Sequence, residues 1–151
     1  MTNPLVEYEK NAFDARRNKN FQVAISLYEK IVVENPNWEH GEAFYNLAGC
    51  YEDIGELEKA EENYLNALNI QPEYYIFVGG YASFLYQFSE PQTAFDWYLK
   101  LLKIEKENKP LEWTSENQWQ LDDIKINLFA LGEKLDWSKD EVETRIANYL
   151  T

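Results

Sequence analysis

Side chains suited to nucleophilic or metal chemistry are scarce in this chain of 151 residues, which contains one cysteine and one histidine. Cys50 has no second cysteine for an internal disulfide, and this favours a reducing compartment. The spacing of His40 and Cys50, ten residues, matches no metal motif and no catalytic dyad. The sequence also contains no phosphate-binding glycine loop, so it predicts no enzymatic activity, no metal site and no cofactor.

Basic residues are also few, since 14 lysines and arginines stand against 27 acidic residues and leave a net charge of −13. A chain with this balance cannot neutralise a run of phosphates, so binding to nucleic acid is not predicted. Two interpretations of the charge remain open. It can serve solubility alone, or it can attract and orient a basic protein partner.

Long apolar runs are absent as well. The longest uncharged stretch, residues 74–89, is shorter than the roughly 20 residues that span a bilayer. It contains four tyrosines and two adjacent glycines, so we interpret it as a buried central helix. The N-terminal segment lacks a basic stretch followed by an apolar run, and no signal peptide is visible. We therefore expect a cytoplasmic protein with no membrane partner.

The chain does contain a repeated pattern of an alanine, then an aromatic residue four positions on, then an apolar residue three positions further. The three sets are Ala24, Tyr28 and Ile31; Ala60, Tyr64 and Ala67; and Ala94, Tyr98 and Leu101. They recur after 36 and then 34 residues. Spacings of four and three place each set on one face of a helix. A period of this length indicates stacked repeats that bury their apolar faces against one another.

The middle repeat resembles the tetratricopeptide repeat family, whose unit is a helix–turn–helix of about 34 residues. Leu47-Ala48, Tyr51, Gly55, Ala60, Tyr64, Ala67 and Pro72 carry the resemblance. The first repeat matches less well, and the third has Lys106 where the family has proline. The resemblance implies an all-α solenoid of three helical hairpins in a single domain, residues 1–151. The repeats would occupy about residues 5–38, 41–74 and 75–106.

Two further helix-start patterns follow the repeats. Ser115 with Gln118, and Ser138 with Glu141, have the spacing of capping boxes. We therefore expect a C-terminal helical pair at about residues 115–151. It is predicted to cap the solenoid, although a degenerate fourth repeat is the alternative.

In the family, the first helix of each repeat lines a concave groove. Carried over by repeat position, the resemblance implies groove candidates in three groups. They are Phe13, Arg16 and Arg17; Tyr45, Asn46, Gly49, Glu52 and Asp53; and Gly79, Gly80, Ser83 and Tyr86. Some family members clamp a chaperone's C-terminal carboxylate with two lysines, two asparagines and an arginine. The matching positions are Glu9, Phe13, Asn46, Ile76 and Gly80, of which only Asn46 agrees, so such tails are not expected partners.

These observations predict a non-enzymatic module that binds a protein or peptide in its concave groove, as an adaptor or chaperone-like scaffold. The alternative is a small acidic inhibitor that neutralises one basic protein, in the manner of an immunity protein. Gly79-Gly80 is an unusual pair, because each glycine inside a helix costs about 1 kcal/mol relative to alanine. Either a ligand or the C-terminal helix is expected to pack against it.

Overall fold

The computed structural model describes residues 2–107 and 115–151, with the side chains of residues 115–120 left out. Within these residues every regular element is helical. A 3₁₀ turn at Trp38–Gly41 precedes the third α-helix. The α-helices are α1 (Pro4–Arg17), α2 (Phe21–Glu34), α3 (Glu42–Asp53), α4 (Leu57–Ile70), α5 (Tyr75–Phe88), α6 (Pro91–Glu107), α7 (Ser115–Lys134) and α8 (Lys139–Leu150). The predicted all-α fold is confirmed.

Local signals explain where the helices begin and turn. The Asn3 side chain accepts a hydrogen bond from the Leu5 amide at 3.0 Å, and Pro4 occupies the first turn of α1, where its missing amide proton removes no helical bond. Gly55 turns α3 into α4 with φ +80°, a conformation that glycine adopts without steric cost. Lys19 takes the equivalent position after α1 with φ 60°, so the first repeat accepts strain that the second avoids.

The first compact unit comprises residues 1–77. Here α1 packs on α2, α2 on α3, and α3 on α4, the order expected of stacked hairpins. Burying a large apolar side chain such as Ile31 contributes roughly 1.5–3 kcal/mol, so this interior supplies much of the unit's stability. Gly41 opens α3 with φ 100° and is itself buried, and a Cβ there would lie 3.2 Å from the Phe77 ring.

The alanine–aromatic–apolar sets occupy the interior as predicted. Ala24, Ala60 and Ala94 have no exposed surface. The tyrosines and apolar residues that follow them are buried as well. Because an alanine presents only a methyl group, the neighbouring helix can approach closely at these points, and the tyrosine rings fill the space beside them.

The second compact unit comprises residues 78–151, and the division falls inside α5. In it α6 packs on α7, and α8 contacts both. Gly132 permits the approach of α8, because a Cβ there would lie only 2.3 Å from a methyl carbon of Val142. The Ser138 hydroxyl caps α8 by accepting a hydrogen bond from the Glu141 amide at 3.2 Å. The start signal expected at Ser138 is therefore confirmed.

The other boundary predictions stand differently. The α1–α2, α3–α4 and α5–α6 pairs begin within one residue of the three predicted repeats, and α6 ends one residue beyond its repeat. The helices α2 and α4 end at Glu34 and Ile70, four residues before their predicted repeats end, and α7 and α8 lie within the predicted C-terminal pair. The capping box at Ser115 and Gln118 involves side chains outside the described residues. The assignment of residues 1–151 to a single domain stays a prediction, and so does the capping role of the C-terminal pair.

Replacing Ala60 with leucine tests the close approach of α3 and α4. Three extra carbon atoms at a position with no exposed surface should overpack the hairpin and lower the free energy of unfolding by about 1–3 kcal/mol. Ala147→Leu is the matched control, because Ala147 is exposed on α8. Urea unfolding followed by circular dichroism measures both variants. An Ala60→Leu protein as stable as the wild type would contradict the packing described here.

Candidate functional site

A groove runs along α1 and α3 in the first unit and consists of two adjoining cavities. One has a volume of about 560 Å³ and the other about 430 Å³. The larger cavity is lined by Val6, Glu9, Lys10, Phe13, Tyr28, Glu39, Glu42 and Asn46. The smaller is lined by Phe13, Arg16, Arg17, Lys19, Phe21, Tyr28, Asn46 and Asp53. The cavities share Phe13, Tyr28 and Asn46, and so form one continuous depression that we call the α1–α3 groove.

The larger cavity is acidic. Glu9, Glu39 and Glu42 lie around it, and Lys10 is the one basic residue in its lining. Burial raises the pKa of Glu9, the nearby Trp38 indole lowers it, and the charges of Glu39 and Glu42 raise it further, so that the net shift is upward. The indole Nε1 of Trp38 is itself buried and makes no hydrogen bond of good geometry with the described residues.

The smaller cavity is basic. The Arg16 Nε donates a hydrogen bond to Asp53 Oδ2 at 2.7 Å, and this ion pair joins the last turns of α1 and α3. Gly49 makes the pairing possible, because a Cβ there would lie 2.6–2.8 Å from the Arg16 guanidinium. Arg17 and Lys19 complete the basic lining, and neither forms a salt bridge within the described parts of the chain.

Phe13 marks the middle of the groove. Its ring is 58% exposed although it lines both cavities. Tyr28 and Asn46 lie beside it and are buried and half-buried respectively. Phe13 is therefore an exposed aromatic residue between a buried tyrosine and a half-buried asparagine.

Two further candidates of the second repeat are engaged in internal packing. The Tyr45 ring stacks on Phe77 at 5.2 Å and meets Tyr64 edge-on at 5.7 Å. Glu52 accepts a hydrogen bond from the Tyr64 hydroxyl at 2.7 Å. These contacts give both side chains a structural role, and their role in binding stays a prediction.

The candidates of the third repeat belong to the second unit. A Cβ on Gly79 would lie 3.6 Å from Leu101, an ordinary contact distance, so this packing does not require glycine. Ser83 is exposed on α5, and Tyr86 is half-buried. The Lys134 ammonium at the end of α7 lies 4.3 Å from the centre of the Tyr86 ring, in a cation–π contact. The C-terminal helices thus reach the α5 face at Tyr86, while the surroundings of Gly80 stay a prediction.

The sequence did not single out several residues of the groove lining. Glu39 and Glu42 lie in the 3₁₀ turn and at the start of α3, outside the repeat positions carried over from the family. Lys19 and Phe21 follow α1 at the turn into α2. These residues flank the turns between helices, and in the sequence their charges look the same as those of an ordinary solvated turn.

Cys50, the one cysteine of this chain, is buried. Burial raises the pKa of the Cys50 thiol to about 11, which keeps it protonated and unreactive near neutral pH. No group of three histidine, cysteine or acidic side chains in residues 2–107 and 121–151 is arranged to hold a metal ion. None of the described helices is both long and apolar enough to cross a membrane.

Comparison with solved structures identifies the architecture. The crystal structure of the Sgt2 TPR domain from Aspergillus fumigatus is similar to this chain with a TM-score of 0.66. The match covers 87% of this chain and 83% of that one, at 19% sequence identity. The fold is that of a tetratricopeptide repeat domain. No protein-family model matches the sequence, and a comparison with curated proteins likewise finds no significant match. The predicted helical-repeat fold is thereby confirmed.

Replacing Gly49 with alanine tests whether the Arg16 guanidinium packs against the backbone of Gly49. The new methyl should displace the guanidinium and break its bond to Asp53, with a free-energy change below about 1 kcal/mol, because the helix propensity gained offsets an exposed ion pair. Gly79→Ala is the matched control and should stabilise the protein by about 0.5–1 kcal/mol. NMR of the Arg16 side-chain NεH and urea unfolding provide the measurements. An unchanged Arg16 signal would contradict the placement of the guanidinium against Gly49.

Replacing Glu9 with glutamine tests the acidic cavity through its pH dependence. The folded protein holds the Glu9 proton more tightly than the unfolded chain, whose ordinary pKa is 4.5, so ionisation of Glu9 destabilises the fold as the pH rises through the folded pKa. Glu9→Gln should therefore raise the urea midpoint at about pH 7 and leave it nearly unchanged at about pH 3.5. Glu34→Gln, at the exposed end of α2, is the control. A gain of equal size at both pH values would refute this assignment.

Proposed function

We propose that this chain is a non-enzymatic binding module that holds a segment of another protein in the α1–α3 groove. The observation that carries the proposal is the exposed Phe13 ring at the junction of two cavities. Leaving an aromatic ring in water forgoes part of the 1.5–3 kcal/mol, roughly, that its burial provides, and a partner's apolar side chain would supply that burial.

The frame around Phe13 supports this function. The Arg16–Asp53 ion pair joins α1 to α3, and the ring of Tyr45 on α3 packs against the rings of Tyr64 and Phe77. We expect these contacts to restrict the side chains around the groove before any partner binds. A preformed groove spends less binding free energy on ordering its own side chains.

The alternative, an acidic inhibitor of one basic protein, draws support from the net charge of −13. Such an inhibitor would bind mainly through its charges, and raising the salt concentration would slow its association strongly. A groove binder anchored on Phe13 would depend on that ring at every salt concentration.

Selection from a phage-displayed library of random 12-residue peptides tests the proposed function. The wild-type protein should enrich binding peptides, and Phe13→Ser should weaken their affinity by at least about tenfold, since hot-spot aromatics contribute about 2 kcal/mol or more. Val33→Ser is the matched control, because Val33 is 83% exposed on α2, outside the groove lining.

Circular dichroism and fluorescence anisotropy at two salt concentrations complete the measurement. Both variants should keep the wild-type helicity, and only Phe13→Ser should lose peptide binding. If the wild type enriches no peptide, or if Phe13→Ser binds the selected peptides as tightly as the wild type, the α1–α3 groove is not the binding site.

A further inference from the structure

Charge is separated along the α1–α3 groove. The cavity beside the first half of α1 carries the three carboxylates of Glu9, Glu39 and Glu42 against the single ammonium group of Lys10. The cavity beside the end of α1 carries the free basic side chains of Arg17 and Lys19. Between these two ends lies the exposed ring of Phe13, with no charge of its own.

The length of the groove follows from helix geometry. Glu9 and Arg17 are eight residues apart on α1, and at a rise of 1.5 Å per residue their backbones are about 12 Å apart along the helix axis. An extended chain covers that distance in about three to four residues. A bound segment therefore has room for a charged residue at each end of the groove and an apolar residue between them.

The two ends differ in how far their charges are already satisfied. At the basic end, Asp53 pairs with Arg16, while Arg17 and Lys19 form no salt bridge with any acidic side chain of the described residues. At the acidic end, no salt bridge to Glu9, Glu39 or Glu42 forms in the described parts of the chain. Burial and the two neighbouring carboxylates hold the pKa of Glu9 above its ordinary value, a condition that a cation in the larger cavity would relieve.

Helix dipoles favour part of this arrangement without any ligand, because acidic residues stabilise a helix start and basic residues a helix end. Glu42 opens α3, and Arg16 and Arg17 close α1. Glu9, in the second turn of α1, and Lys19, beyond its end, lie outside the terminal turns where the dipole acts most strongly. The dipoles therefore do not account for the whole separation.

We propose that the α1–α3 groove recognises a bipolar segment of a partner protein. In this segment a lysine or arginine enters the cavity of Glu9, Glu39 and Glu42, and an apolar side chain covers Phe13. An aspartate or glutamate about three to four residues from the basic residue meets Arg17 and Lys19. The inference rests on the proposed function and adds the chemistry and the order of the groove's ligand.

The peptides selected by the wild-type protein provide the test. Their consensus should contain a basic and an acidic residue about three to four positions apart with an apolar residue between them. Selection by Glu9→Gln/Glu42→Gln should lose the basic position alone, and selection by Arg17→Gln/Lys19→Gln should lose the acidic position alone. Lys30→Gln and Glu34→Gln on α2, outside the groove lining, are the matched controls and should keep the full consensus.

A double-mutant cycle then links each peptide charge to its cavity. Replacing the basic residue of a selected peptide with norleucine should weaken binding to the wild type by about 2–5-fold per charge contact and should have little effect with Glu9→Gln/Glu42→Gln. A consensus with basic residues alone, or with no charge preference, would overturn the bipolar inference and leave the groove function intact. Peptides whose binding does not depend on Phe13 would instead overturn the proposed function.

Discussion

The rest of this structure depends on close packing between helices at one fully buried alanine in each hairpin. Ala24, Ala60 and Ala94 lie on α2, α4 and α6 and have no exposed surface. A methyl group at these points lets the paired helices approach, and the tyrosine four residues on can then pack into the space beside the contact. In the first unit, this packing places α1 and α3 side by side with their first helical turns at the same end of the groove.

The packed helices hold charged side chains in and beside the α1–α3 groove. Asp53 fixes the Arg16 guanidinium over Gly49, where a side chain would obstruct it. Burial raises the pKa of Glu9, and the adjacent carboxylates of Glu39 and Glu42 add to that effect. The protein therefore tolerates unfavourable electrostatics at one end of the groove, and this lowers its stability once Glu9 is ionised.

Sequence periodicity predicted the fold well, because burial on one face of a helix leaves a regular signal along the chain. Periodicity predicted the residues of the candidate site less well. Phe13 and Tyr45 carry equivalent aromatic signals, yet Phe13 is exposed while Tyr45 packs on Phe77 and Tyr64. The burial of each ring depends on residues that are distant in the sequence, and a local sequence pattern carries no information about such contacts.

By itself, the sequence determined the repeat length, the helix positions, the buried triplets and the acidic charge, since each of these is a property of neighbouring residues or of composition. Tertiary structure decided which side chains meet. It placed Glu39 of the 3₁₀ turn beside Glu9 of α1, and Arg16 over the backbone of Gly49. These pairs are separated by about thirty residues and come together only when the helices stack, so their chemistry belongs to the packed fold.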